Sequence, residues 1–321
     1  MKSIKNLTVS VLIDNTTDMF SSRPDHVDSE LKVLMDSGLE IGSGPLLCSA
    51  HHGLSLFLEA ETENGTKSVL FDAGPDSSGL ARNSNHMGVS LENTDAIVLS
   101  HGHFDHAEAL PKALELIKAD KKDNPVPLYV HPGAFVKRAA KLPDGNMLPY
   151  TDVPSVDFLT KKGADVKTSS KEETIVDDYF YVSGEIPRNS FENGLSNHYK
   201  KDDEGNWTPD PDIEDERFLA VNIKDKGIAI FTGCSHAGIV NVCKHAAEVF
   251  KDQPLYALVG GLHLVYPNEN LIDETIEELK QFNFKVIIPG HCTGWRAINR
   301  FINEFGEKIV DPLAVGTKQH L

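Results

Sequence analysis

The feature that most constrains this chain is the run Ser100-His101-Gly102-His103-Phe104-Asp105-His106, which follows an apolar, strand-like stretch at 96–99. Three imidazoles and a carboxylate lie side by side there. Inside a protein each ring nitrogen needs a partner. In extended backbone, side chains two residues apart share a face, so His101 and His103 converge on one point. A turn after Phe104 redirects Asp105 and His106 towards a second point. Such nitrogen and oxygen donors suit zinc, and they also serve iron or manganese. A chain built this way has to set the end of a buried strand beside a metal centre of one or two ions.

The remaining pattern says what surrounds that strand. Short β-type runs at 7–13, 54–60, 68–71 and 127–130 are bounded by Gly, Asn, Asp or Pro. Leu110, Ala113, Leu114 and Ile117 fall at helical spacing and predict a helix over 108–119. Regularity returns late in the chain, with strands expected at 219–223, 227–231, 255–259 and 285–288. Helices are expected at 238–250, 271–282 and 295–304. Strand-rich halves that each end in strand and helix alternation predict an α/β fold of two sheets packed face to face with helices outside. Between them, 132–217 is weakly patterned, with strand-like patches only at 175–182. Its acidic part, 199–216, reads either as a solvated loop or as a flap over the site, since long irregular insertions are often lids. The 321 residues are therefore expected to form a single domain, 1–321, with a substrate-capping insertion within about 132–217.

Charge and cysteine usage narrow the partners. Lysine plus arginine number 31 against 48 aspartate plus glutamate, a formal net charge of −17. That sign argues against nucleic acid and anionic membrane as partners. A small anionic substrate stays compatible, because a bound dication reverses the local field. No apolar run approaches the ~20 residues of a spanning helix, and the first residues lack a signal-peptide pattern. Cys48, Cys234, Cys243 and Cys292 are widely scattered. A reduced, cytoplasmic protein is the expectation.

His-x-His-x-Asp-His after a strand and before a helix resembles the signature of the metallo-β-lactamase superfamily. Leu70-Phe71-Asp72-Ala73-Gly74, Ile230-Phe231-Thr232-Gly233 and Pro289-Gly290-His291 resemble its other site segments, in the same order. Together they span roughly residues 7–303. Four further segments narrow the likeness: Gly184-Glu185-Ile186-Pro187-Arg188, Thr232-Gly233-Cys234-Ser235-His236-Ala237-Gly238, Gly260-Gly261-Leu262-His263-Leu264 and His291-Cys292-Thr293-Gly294. They resemble the branch of metal-dependent hydrolases that includes the archaeal dihydropterin-ribofuranosylaminobenzene-phosphate synthases.

The resemblance implies an αββα four-layer sandwich. It also implies a first metal site of His101, His103 and His236, and a second of Asp105, His106 and His291. Many relatives carry a bridging aspartate after Thr-Gly, where this chain has Cys234. That thiol is either a ligand or a small buried residue. His263 and Glu185 are further candidates for metal or substrate, as is Arg188, whose planar fork suits phosphate or carboxylate. His51, His52 and His131 are candidates for the pocket edge. The implied activity is hydrolysis of an ester, lactone or phosphoester in a small, anionic molecule, with zinc-activated water and Asp105 orienting it. The alternatives are a pterin-transferring synthase and a non-hydrolytic iron-binding redox or ligand-sensing domain.

Overall fold

The computed structural model describes residues 1–120, 122–192, 194 and 197–321. Two mixed sheets dominate it. In the first, the strands run in the order Ala164–Thr168, Val126–Val130, Ala96–Val98, Gly65–Phe71, Ser55–Thr62, Asn6–Ile13, Lys318–His320 and Val27–Asp28. In the second the order is Glu173–Ile175, Phe180–Val182, Leu219–Ile223, Gly227–Thr232, Leu255–Gly261 and Val286–Gly290, with Ser3–Ile4 beside Leu219–Ile223.

The period-two pattern of these strands decides the layering. Val69 and Phe71 face the second sheet, as do Leu56, Leu58 and Val98; they meet Phe180, Val221, Phe231, Val259 and Ile288 in one core. The intervening Leu70, Phe57 and Ile97 face the other way, onto Leu80, Leu110 and Leu114 of the helices Ser77–His86 and Leu110–Leu116. On the far side Ile228, Ile230, Leu258 and Ile287 pack against the helices Ile239–Val249, Ile272–Lys280 and Trp295–Phe305. Both faces of each sheet are therefore buried, with about 1.5–3 kcal/mol favouring each large apolar side chain placed there. The result is the expected αββα sandwich.

The weakly patterned middle contains more structure than its composition suggested. Trp207–Pro209, His198–Lys201, Arg138–Lys141 and Met147–Pro149 form a small antiparallel sheet of four strands. So 199–216 is not simply a solvated loop: it begins with a hairpin, and Lys201 lies 5.0 Å above the Trp207 ring. The patch at 175–182 resolves into the strands Glu173–Ile175 and Phe180–Val182, joined through left-handed Val176, Asp177 and Asp178. The helix expected over 108–119 is shorter, Leu110–Leu116, and a separate helical turn, Phe104–Ala107, precedes it.

Buried Arg138 ties the small sheet to the sandwich. Its Nε donates to Asp210 at 3.0 Å and its Nη2 to Asp215, while the second Asp215 oxygen accepts from the Gly102 backbone N–H at 2.7 Å. No helix among the described residues is long and apolar enough to cross a membrane.

Candidate metal centre

Five strands end at one place. Gly65–Phe71 delivers Asp72, Ala96–Val98 leads to His101 and His103, and Gly227–Thr232 leads to Cys234 and His236. Leu255–Gly261 leads to His263, and Val286–Gly290 to His291. Neighbours within each of these two groups run parallel, so their carboxyl ends gather on one edge, the usual ligand-binding edge of such sheets. The chain turns sharply there. Asp72, Ser235, His263 and His291 all have positive φ, between 45° and 68°. Each such residue costs about 1–3 kcal/mol, and strain of this kind is concentrated at functional sites.

The clustered histidines meet as the spacing predicts. His101 Nε2 lies 3.0 Å from His103 Nδ1, and the His236 ring centroid is 4.8 Å from both rings. After extended His103 the chain enters the helical turn Phe104–Ala107, which swings Asp105 and His106 to the neighbouring position. There Asp105 Oδ2 is 3.4 Å from His291 Nε2 and 3.8 Å from His106 Nε2. Cys234 lies between the two groups: its Sγ is 3.2 Å from both His106 Nε2 and His291 Nε2. The ligand atoms of Asp105, His106, Cys234 and His291 all lie within 4.8 Å of one another, as do those of His101, Cys234 and His236.

The chemistry of these side chains fits a metal. His103 Nε2 and both ring nitrogens of His236 are buried without a hydrogen-bond partner, a costly arrangement unless a cation takes them. Burial and the neighbouring imidazoles hold His101 well below the ordinary histidine range; His103 and His236 are held neutral mainly by burial too. Neutral imidazole is the ligating form. At Asp105 burial opposes ionisation, yet His106 and His291 outweigh it and keep the carboxyl ionised well below the usual range.

A layer of carboxylates supports these rings. Asp72, fully buried, accepts from Ser100 N and Ser100 Oγ, both at 2.7 Å, and from His106 Nδ1 at 2.7 Å. Gly233 permits this: a Cβ there would lie 2.1 Å from Ser100 Oγ. Asp14, its pKa pushed up to about 6 by burial, accepts from the His291 N–H at 2.7 Å, and Asn15 Oδ1 lies 3.1 Å from His291 Nδ1. Glu216, raised to about 7 by burial, accepts from the His236 and Ala237 N–H groups. Asp72→Asn is expected to weaken metal binding roughly 10–100-fold while the far-ultraviolet circular dichroism stays unchanged, the usual cost of removing a partner that orients a ligand. A chelator competition titration reads the affinity; wild-type affinity in the variant would refute this role.

The site opens into a cavity of about 240 Å³ whose lining includes His52, Phe104, Tyr150, His198, Tyr266 and Cys292 besides the cluster members His103, Asp105, Cys234, His236 and His291. His198 is not marked by its local sequence, which is polar. The small sheet brings it in, with its ring stacked 5.3 Å from His103. Tyr150, Asp14, Asn15 and Glu216 were also missed, and nothing in their local pattern marks them. His52 stands at the pocket edge, its Nε2 3.7 Å from Asp105. His51 lies beside Ser49 and Asp76 instead. Glu185 is not brought into the cluster: its carboxylate is exposed and 3.3 Å from His131 Nε2. Arg188 also stays outside, where its Nη1 donates to the His236 carbonyl at 3.1 Å.

Two stacked mixed sheets between helices, with a His, Asp and Cys cluster at the strand ends, define a metallo-β-lactamase-type fold. A model of the beta-lactamase superfamily domain matches residues 67–161. The chain is 31% identical over 261 residues to the 7,8-dihydropterin-6-methyl-4-(beta-D-ribofuranosyl)-aminobenzene-5'-phosphate synthase of Methanocaldococcus jannaschii, covering 80% of this chain and 86% of that protein. An uncharacterized protein of the same organism is 32% identical over 258 residues, 80% of this chain and 90% of its own length. The crystal structure of Tm1679, described as a metal-dependent hydrolase of the beta-lactamase superfamily, matches in fold with a TM-score of 0.71. It covers 97% of this chain and 98% of its own at 21% identity. The chain belongs to the metallo-β-lactamase superfamily.

Proposed function

We propose that this chain is a metal-dependent hydrolase acting on an ester, lactone or phosphoester in a small anionic molecule. The observation that carries the reading is the pair of adjoining, buried donor sets at the floor of one cavity. His101, His103 and His236 would hold one ion, and Asp105, His106 and His291 a second, with the Cys234 sulfur between them. When bound, such ions polarise a carbonyl or phosphoryl oxygen and acidify water.

The chain's own groups do the rest. Asp105, held ionised, accepts a hydrogen bond from the attacking water and orients it. His198, kept uncharged by burial with a pKa of about 4, offers an imidazole from the cavity lining beside His103 for hydrogen bonding to the substrate. Zinc is the proposed metal, with iron or manganese as the readings its colour and elemental content would favour. Metal-reconstituted protein is expected to turn over at least one member of an ester, lactone and phosphoester panel and to stop on chelation; no turnover across the panel would refute the hydrolase. With a substrate in hand, His198→Ala is expected to lower kcat/KM roughly 10–100-fold with metal content unchanged, the worth of one hydrogen bond to a charged group. An unaltered kcat/KM would remove His198 from the site.

A second reading is transfer rather than hydrolysis, favoured by the relative named as a synthase. In it the same centre activates a pyrophosphate leaving group on a pterin for attack by an aromatic acceptor. Supplying an aryl acceptor and finding it in the product, in place of water, separates the two.

A further inference from the structure

We propose that Cys234, His263 and Cys292 form a third, sulfur-rich metal position on the floor of the cavity, one that favours a thiophilic divalent cation over a hard one. The inference rests on the metal-centre reading above and extends it to His263 and Cys292, which neither donor set uses. The two sulfurs and a His263 ring nitrogen all lie within 4.8 Å of one another. Both thiols are buried, and all three residues line the cavity.

The backbone is arranged to bring them together. Cys234 follows the strand Gly227–Thr232, and Cys292 follows Val286–Gly290; Leu255–Gly261 lies between these strands. Gly261 closes that middle strand, and a Cβ on it would sit 2.6 Å from Cys292 Sγ and 3.2 Å from Cys234 Cα. Only a residue without a side chain lets the two cysteines approach across it. His263 follows two residues later with φ of 45°, a conformation that costs energy, and its Nδ1 is buried without a partner. His291 also has positive φ, 48°, and opens a short 3₁₀ turn. Two adjacent residues thereby serve two positions, His291 beside Asp105 and Cys292 beside Cys234.

Cys292 Sγ donates a weak bond to the Cys234 carbonyl at 3.3 Å. Two thiolates and an imidazole are a softer set than imidazoles with a carboxylate, and soft ligands select zinc-like or softer ions over manganese or magnesium. Cys234 belongs to all three groups, so an ion here shares a ligand with its neighbours.

The test uses cobalt(II) added to the reduced, metal-stripped full chain. Wild-type protein is expected to develop near-ultraviolet thiolate-to-cobalt charge-transfer absorption. In Cys292→Ser that absorption falls by roughly half and bound metal by about one equivalent, because one of two soft ligands is gone. The preference for cadmium over manganese narrows in the same variant. His263→Gln, which leaves both thiols in place, is the second variant. It is expected to lower metal content with the sulfur band retained but altered, and it keeps the test open if Cys292→Ser misfolds by circular dichroism. Spectra and metal content equal to wild type in the folded variants would overturn the third position alone. A wild-type chain that takes up no metal at all would overturn it together with the metal-centre reading.

Discussion

Asp105→Ala protein is expected to carry about one metal equivalent fewer than wild type and to lose turnover, because the second donor set is left with two imidazoles and one thiol and no carboxylate. The loss follows from position. Asp105 is the one carboxylate among the proposed ligands; its Oδ2 is within 3.8 Å of His106 and His291. Without it, charge neutralisation at the second position falls to Cys234 alone. Affinity there should fall by more than the roughly 10–100-fold that loss of an orienting partner costs. Elemental mass spectrometry of wild type and variant measures this directly. Equal metal content in the two would refute Asp105 as a ligand; a shared loss of both ions would instead make the two positions one cooperative centre.

The largest expected loss of stability belongs to Arg138→Met. Arg138 is buried between Asp210 and Asp215, which are themselves buried. Deleting one partner of a buried ion pair strands the others, typically costing about 3–5 kcal/mol. Here two carboxylates would be left, with Lys200, 3.0 Å from Asp210, as partial compensation. Asp215 also holds the Gly102 N–H between His101 and His103, so metal affinity should fall along with the denaturation midpoint. Adding Asp210→Asn and Asp215→Asn to Arg138→Met is expected to recover much of the loss, because the stranded charges go with them. A single variant as stable as wild type, or a triple variant no better than the single, would refute this account.

These two variants touch residues of very different visibility in the sequence. Asp105 stands in a run where several side chains that are costly to bury share one short segment, so its candidacy as a metal ligand is readable without a fold. Arg138 stands in an unremarkable stretch, and its meaning arises only because 138–141 pairs with 198–201 and faces 210–215. His198 is the same kind of case. Hairpin pairing inside an acidic, weakly alternating region left no period to read, so a solvated loop was the natural expectation. Glu185 and Arg188 err in the other direction: a segment resembling site residues of relatives runs past the cavity, turning the carboxylate to solvent and the guanidinium onto the His236 carbonyl.

With His236 and His291 added by the family resemblance, the sequence by itself pointed to the two-sheet sandwich and to the ligand candidates His101, His103, Asp105 and His106. The reason is that period-two apolar strands and closely spaced donors are local signals, set by backbone geometry and the cost of burying imidazole. Tertiary structure alone decided which distant groups support those ligands: Asp72 at the His106 ring, Asp14 and Glu216 at the backbone of His291 and His236, His198 and Tyr150 beside the His103 ring, and Cys292 beside Cys234. Those contacts join segments dozens to hundreds of residues apart, and single polar side chains leave no periodic trace. Gly233 lets Asp72 close on Ser100, Gly261 lets Cys292 close on Cys234, and the small sheet carries His198 to the cavity.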